Sequence, residues 1–123
     1  MEIIFWIGKI LFGGFFVWNG IEHFTNIKNL TGYAKHKKIP AAREMVYLSG
    51  VLLLLGGFSI IFEKIVVLGI LILIIFMVSV TFSAHRFWQV KEPTEKMNEK
   101  VAFMKNMALI GALIMLFMIS IMR

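Results

Sequence analysis

The 123-residue chain contains no cysteine. A structural disulfide, a thiolate metal site and a dithiol relay are therefore excluded. Charge is also scarce, at 16% of residues, where an average soluble domain has about 25%. Acidic groups are the scarcest, with 7 Asp and Glu against 13 Lys and Arg, a formal net charge of +6. No HExxH or comparable ligand spacing occurs. The adjacent Glu22 and His23 would point about 100° apart on a helix and make a poor chelating pair. No metal is expected. No serine sits on a recognisable nucleophile elbow. Repeats, low-complexity tracts and linker composition are missing too, so a single domain over residues 1–123 is expected. No basic segment precedes the first apolar block, which is long enough to remain as a span rather than serve as a cleavable signal.

What is abundant is apolar surface. Hydrophobic residues make up 59% of the chain, against about 45–50% in soluble domains, and the mean hydropathy is +0.85. The excess is gathered into four blocks, 3–21, 45–62, 65–84 and 101–122. A bilayer core takes about 20 apolar residues in a helix. The blocks are continuous rather than alternating, which disfavours barrel strands, and a lone span must satisfy its own backbone, which selects helices. The expected fold is an all-α membrane protein, a four-transmembrane-helix antiparallel bundle. Only Glu63 and Lys64 separate the second and third blocks, so these form a hairpin and the two long connections lie at the opposite end.

The first long connection carries Lys28, Lys35, Lys37, Lys38 and Arg43, and the second carries Arg86, Lys91, Lys96, Lys100 and Lys105. The other end has Lys64 and Arg123, with Lys9 inside the first span. Cytoplasmic loops carry the Lys/Arg excess. Both long connections are thus expected in the cytoplasm and both termini outside, in a multi-pass protein of a bacterial inner membrane. The basic balance belongs to a membrane surface in contact with lipids; no nucleic-acid partner is expected. Phe24, Ile27, Leu30 and Ala34 recur at helical spacing between lysines, the pattern of a short interfacial helix. Pro40 suits the start of the second span. Met97, Val101 and Met104 share a face, and Glu92 stands four residues before Lys96, so the fourth helix is expected to begin before its span.

Helices in lipid associate through close packing and polar contacts. Small residues mark where: Gly13 and Gly20, Ser49 and Gly56, Gly50 and Gly57, each pair seven apart, then Ser79 and Ser83, and Ala108, Gly111 and Ala112. On the first helix Lys9, Gly13, Phe16, Gly20 and His23 form one stripe. Lys9 is then a membrane-embedded charge. It either pairs with Glu63 or Glu2, or snorkels to the headgroups.

Polar residues gather at the basic end. The sequence "SAHRFW" closes the third span with Ser83, Ala84, His85, Arg86, Phe87 and Trp88. Arg86, Phe87 and Trp88 suit an interfacial belt; His85 is not required by one and can donate, accept or carry a proton. Trp18, Asn19, His23, Tyr47, His85, Trp88 and Asn106 therefore form a candidate ligand-binding cluster. Aromatic walls with a few donors suit the carbonyls of a quinone or similar amphipathic ring. The same groups would equally serve as helix-to-helix hydrogen bonds.

"GIEHF" in the first span, "IPAAREMVYLSGVLLLLGG" through the second, "HRFW" after the third and "FMKNMALIGALIML" in the fourth together resemble the DoxX family. The resemblance implies a small bacterial four-helix membrane protein. Some members are associated with a thiosulfate:quinone oxidoreductase or with membrane redox stress, and distant relatives act in trafficking or receptor assembly. The matching positions are Gly20, His23, Pro40, Arg43, Ser49, Gly50, Gly57, His85, Trp88, Lys105, Asn106 and Gly111. Without cysteine or an appended redox domain, independent sulfur chemistry is not expected. Two functions follow: a quinone-interacting membrane subunit of a redox complex, or a non-catalytic binding or assembly protein that docks a cytoplasmic partner through its basic loops. Solute transport has little behind it, since Lys9 alone sits unambiguously within a span.

Overall fold

A computed structural model of the chain describes residues 2–122. Its elements are α1 (Glu2–Thr25), α2 (Ile27–His36), α3 (Ala42–Phe62), α4 (Val66–Ala84), a 3-10 turn (Phe87–Gln89) and α5 (Pro93–Met122). Four helices, α1, α3, α4 and α5, are long and apolar enough to cross a membrane. No strand occurs among the described residues. The four-helix antiparallel bundle is as expected. Its buried core is small: Phe16 of α1, Leu53 and Ile60 of α3, Ile70, Leu73 and Met77 of α4, and Ile110 and Leu113 of α5. Its outside is studded with Ile, Leu, Phe and Met, which is where lipid rather than water is the solvent.

The α1–α3 crossing explains the glycine spacing. A Cβ on Gly57 would stand 2.7 Å from the Gly13 carbonyl oxygen, and one on Gly20 would stand 3.0 Å from the Gly50 oxygen. The two seven-residue stripes thus meet in antiparallel register, 13 on 57 and 20 on 50, and let the backbones touch. Gly56 faces Leu73, and Gly69 faces Ser59, at the α3–α4 contact. The other small residues behave differently. A Cβ on Gly111 would meet nothing within 4 Å, and Ala108 is exposed, because α5 packs through Ile110 and Leu113 instead. Ser79 and Ser83 lie exposed on α4, where no neighbouring helix covers them.

The hairpin between α3 and α4 turns through two left-handed residues, Glu63 (φ 53°) and Ile65 (φ 52°). Glu63 meets Lys9 there: the Nζ–Oε2 distance is 3.0 Å. Lys9 is only 6% exposed, and its ammonium also lies 3.5 Å from the centroid of the Trp6 ring. Of the two expectations for Lys9, pairing with Glu63 is the one observed. Its stripe-mates Gly13, Phe16 and Gly20 are buried with it.

At the opposite, basic end, α2 lies against α3. Ala34 packs with Ala42 and Val46, flanked by Ile27, Leu30 and Ile39, the apolar face anticipated from the helical spacing. Pro40 stands in the turn just before α3. α5 starts well ahead of its span: Pro93 occupies the first helical position, where its missing N–H costs nothing. The Glu92 carboxylate accepts from the backbone N–H of Thr94 (3.1 Å) and Glu95 (2.7 Å), satisfying two orphan donors of the first turn.

Candidate functional site

Where α2 crosses the basic end, all four long helices and α2 line a partly open cavity of about 220 Å³. Ordinary ligand pockets run to about 300–1,000 Å³, so this one suits a single ring rather than a nucleotide. Phe15, Phe16, Leu53, Phe76 and Met77 supply apolar walls. Asn19, His23, Tyr33, His85, Lys105 and Asn106 supply the polar groups.

Each polar group is held differently. The Asn19 amide donates to the Phe15 carbonyl at 2.7 Å, which leaves its own oxygen free. His23 Nδ1 donates to the Asn19 carbonyl at 2.6 Å; a carbonyl only accepts, so the proton sits on Nδ1 and Nε2 is the uncommitted nitrogen. His85 Nδ1 meets Glu99 Oε1 at 3.0 Å, and the same logic frees its Nε2. Lys105 reaches over the Phe15 ring, 5.6 Å from its centroid. Asn106 is 5% exposed, and among the described residues its amide has no hydrogen-bond partner. Its amide atoms are not fully buried, unlike the unpartnered hydroxyls of Thr31 and Thr81, and the side chain lines the cavity with its donors and acceptor uncommitted.

Behind His85 lies a network that ties α2 to α5. Glu99, buried on α5, accepts from the Tyr33 hydroxyl at 2.5 Å and pairs with Lys37 at 2.5 Å. Lys37 also reaches Glu95 at 3.4 Å, and Glu95 pairs with the exposed His36 at 2.9 Å. Burial, then the hydrogen bond to Glu99 and its charge, push the Tyr33 hydroxyl far above its usual range. Tyr33 therefore stays neutral and donates. The chain His36–Glu95–Lys37–Glu99–His85 runs unbroken from the exposed surface to the cavity wall.

Of the residues expected in the cluster, Asn19, His23, His85 and Asn106 come together. Trp18 does not line the cavity; it is 64% exposed on the outer face of α1. Tyr47 packs on Phe24, 5.6 Å between ring centroids, with Arg43 at 5.8 Å. Trp88 packs edge-on against Phe87 and Phe103 at the α4–α5 junction, a belt position. Arg86 Nε donates to the Ser83 carbonyl at 3.1 Å, satisfying one open acceptor at the end of α4. Sequence reasoning missed Tyr33, Lys37, Glu95 and Glu99. Their signal was present: Tyr33 and Lys37 are four apart, as are Glu95 and Glu99, so each pair shares one helix face. Groups of at least three His, Asp or Glu able to hold a metal ion are absent among the described residues.

A family model described as DoxX matches residues 4–86. The match covers α1 to α4 and His85, and ends before Trp88, Lys105, Asn106 and Gly111 of the resemblance. No curated protein and no solved structure matches the chain.

Proposed function

The chain belongs to the DoxX family, matched over residues 4–86 of its 123, and from that premise we propose that it is a quinone-interacting membrane subunit in a bacterial inner membrane. The observation that carries the proposal is the uncommitted amide of Asn106, which lines one largely apolar cavity with His23 and His85. Quinone carbonyl oxygens are acceptors, and the Asn106 amide offers two donors. His23 and His85 each keep Nε2 free, which accepts when the ring is neutral and donates when it is protonated. The site thus suits both the carbonyl and the hydroxyl form of such a ring. A bound quinone would supply two-electron, two-proton chemistry; the protein's part is to bind, orient and hold a proton at His85. His85 Nδ1 is held by the Glu99 carboxylate, and the chain through Lys37, Glu95 and His36 links that carboxylate to the surface. Equilibrium titration of the purified protein with a short-chain quinone tests this. Saturable binding that weakens several-fold in His85→Ala is expected; no saturation, or unchanged affinity, rejects the site.

A second reading has its own observation. Lys38, Arg86 and Lys91 line a surface cleft of about 300 Å³ beside His36, and among the described residues none of the three pairs with a carboxylate. Such uncompensated charge suits docking of an acidic protein partner. Reversing Lys38, Arg86 and Lys91 to Glu is then expected to remove partners recovered by pull-down at low salt; an unchanged set of partners rejects docking.

A further inference from the structure

The wall of the cavity between α3 and α4 is shared with the outside of the bundle. Ile39, Met45, Ser49, Phe76 and Val80 line both the cavity and a second depression of about 370 Å³. That depression faces outward: Leu48 and Ile75 on its rims are exposed, on helices apolar enough to cross a membrane. Its width comes from small residues. The hydroxyls of Ser49 and Ser79 are spent on their own helix, donating to the carbonyls of Met45 (2.7 Å) and Ile75 (2.8 Å). What these serines contribute to the surface is therefore lack of bulk rather than polarity. Towards the hairpin end, at Ile72, the depression meets a third of about 630 Å³ between Leu55, Phe58 and Leu68. An apolar groove thus follows the α3–α4 seam, and at one end it shares a wall with the cavity.

We propose that the cavity is loaded sideways from the bilayer through the α3–α4 seam, by a ligand whose polar head sits at Asn106 and whose flexible apolar tail lies in the groove. This rests on the cavity being a ligand site, and adds the route and the chemical class: a membrane-dissolved molecule with a ring head and a hydrocarbon tail. A helix of a second copy is the competing occupant, since Ser79 and Ser83 have the small-xxx-small spacing of helix pairs. A packed helix would cover the groove but leave the Asn106 amide unanswered; a tailed head group answers both. Lipid tails are as apolar as leucine, so the groove supplies access and orientation more than affinity.

The test compares two quinones of the same head group, one without a tail and one with a decyl tail, on protein in lipid nanodiscs. Ser79→Trp and, separately, Ser83→Trp fill the groove from positions that do not themselves line the cavity. Each is expected to weaken the tailed quinone about tenfold and leave the tailless one unchanged, which also shows that the variant is folded. Unchanged affinity for both compounds in either folded variant overturns the side entry and leaves the ligand site standing. Failure of both compounds to bind the wild type overturns the site and the route together. Conversion of a wild-type dimer to monomer by Ser79→Trp, with tailed binding intact, assigns the groove to a second copy and overturns the proposal.

Discussion

Gly57→Leu is expected to leave almost no folded protein, while Gly111→Leu is tolerated. The reason is local. A Cβ at Gly57 meets backbone on two sides, the Gly13 oxygen at 2.7 Å and the Val17 nitrogen at 2.9 Å. Neither atom can rotate away, so α1 must separate from α3. Overpacking of this kind costs typically about 1–3 kcal/mol, and Gly57→Ala is expected at the upper end of that range. A leucine adds three further carbons where α1 already touches. At Gly111 no atom lies within 4 Å of an added Cβ. There Gly111→Ala is expected to gain up to about 1 kcal/mol, the helix-propensity difference between the two residues. Thermal unfolding in detergent, read alongside the monodisperse yield, separates the two. Equal effects at the two positions would mean that α1 and α3 do not cross at these glycines.

The second large effect is at the roof of the cavity. Glu99→Leu removes the carboxylate that Lys37, Tyr33 and His85 share. The side chain of Lys37 is 10% exposed and that of Glu99 7%, so the ammonium is left buried with only Glu95, at 3.4 Å, as partner. Breaking a buried pair from one side costs about 3–5 kcal/mol; the remaining contact to Glu95 places this variant near 3 kcal/mol. The loss falls on α2, whose other hold is the patch of Ala34, Ala42 and Val46. Amide exchange is therefore expected to speed up over residues 27–36 and little over the core of α4. Glu99→Gln, which keeps an acceptor, is expected to cost less. Lys37→Met combined with Glu99→Leu is expected to recover most of the stability, because no charge is then stranded. Exchange that rises uniformly, or a double variant no better than Glu99→Leu, would show that the network does not hold α2 down.

The fold was legible because its strongest signals were chemical. Four apolar blocks and a two-residue hairpin link point to the bundle, and the seven-residue spacing of Gly13 with Gly20 and of Gly50 with Gly57 marked packing stripes, which the structure pairs with each other. The same rule overreached at Gly111, Ser79 and Ser83. Small residues allow close approach but do not compel it; whether a partner arrives depends on bulk elsewhere, here Ile110 and Leu113. At the cavity, His23, His85, Asn19 and Asn106 were legible because polar side chains at one depth of a bundle must face inward or find a partner. Trp18 and Tyr47 were drawn in by residue type alone, and their rotation about the helix axis turns them elsewhere. The Tyr33–Glu99–Lys37 network joins residues up to 66 positions apart. Composition cannot show such a contact; it needs the docked position of α2.

The central claim is that Asn106 is unpaired because it awaits a ligand. Titration of short-chain quinone against wild type and Asn106→Leu, a replacement of similar size, tests it most directly. One hydrogen bond contributes about 0.5–1.5 kcal/mol, so binding is expected to weaken roughly three- to tenfold. Thermal stability of the ligand-free protein is expected to stay close to wild type in the same variant, because the amide makes no hydrogen bond within the described residues. Wild-type affinity in Asn106→Leu, or a loss of stability in the absence of ligand, would contradict the account, since either would make the amide a structural group rather than a binding one.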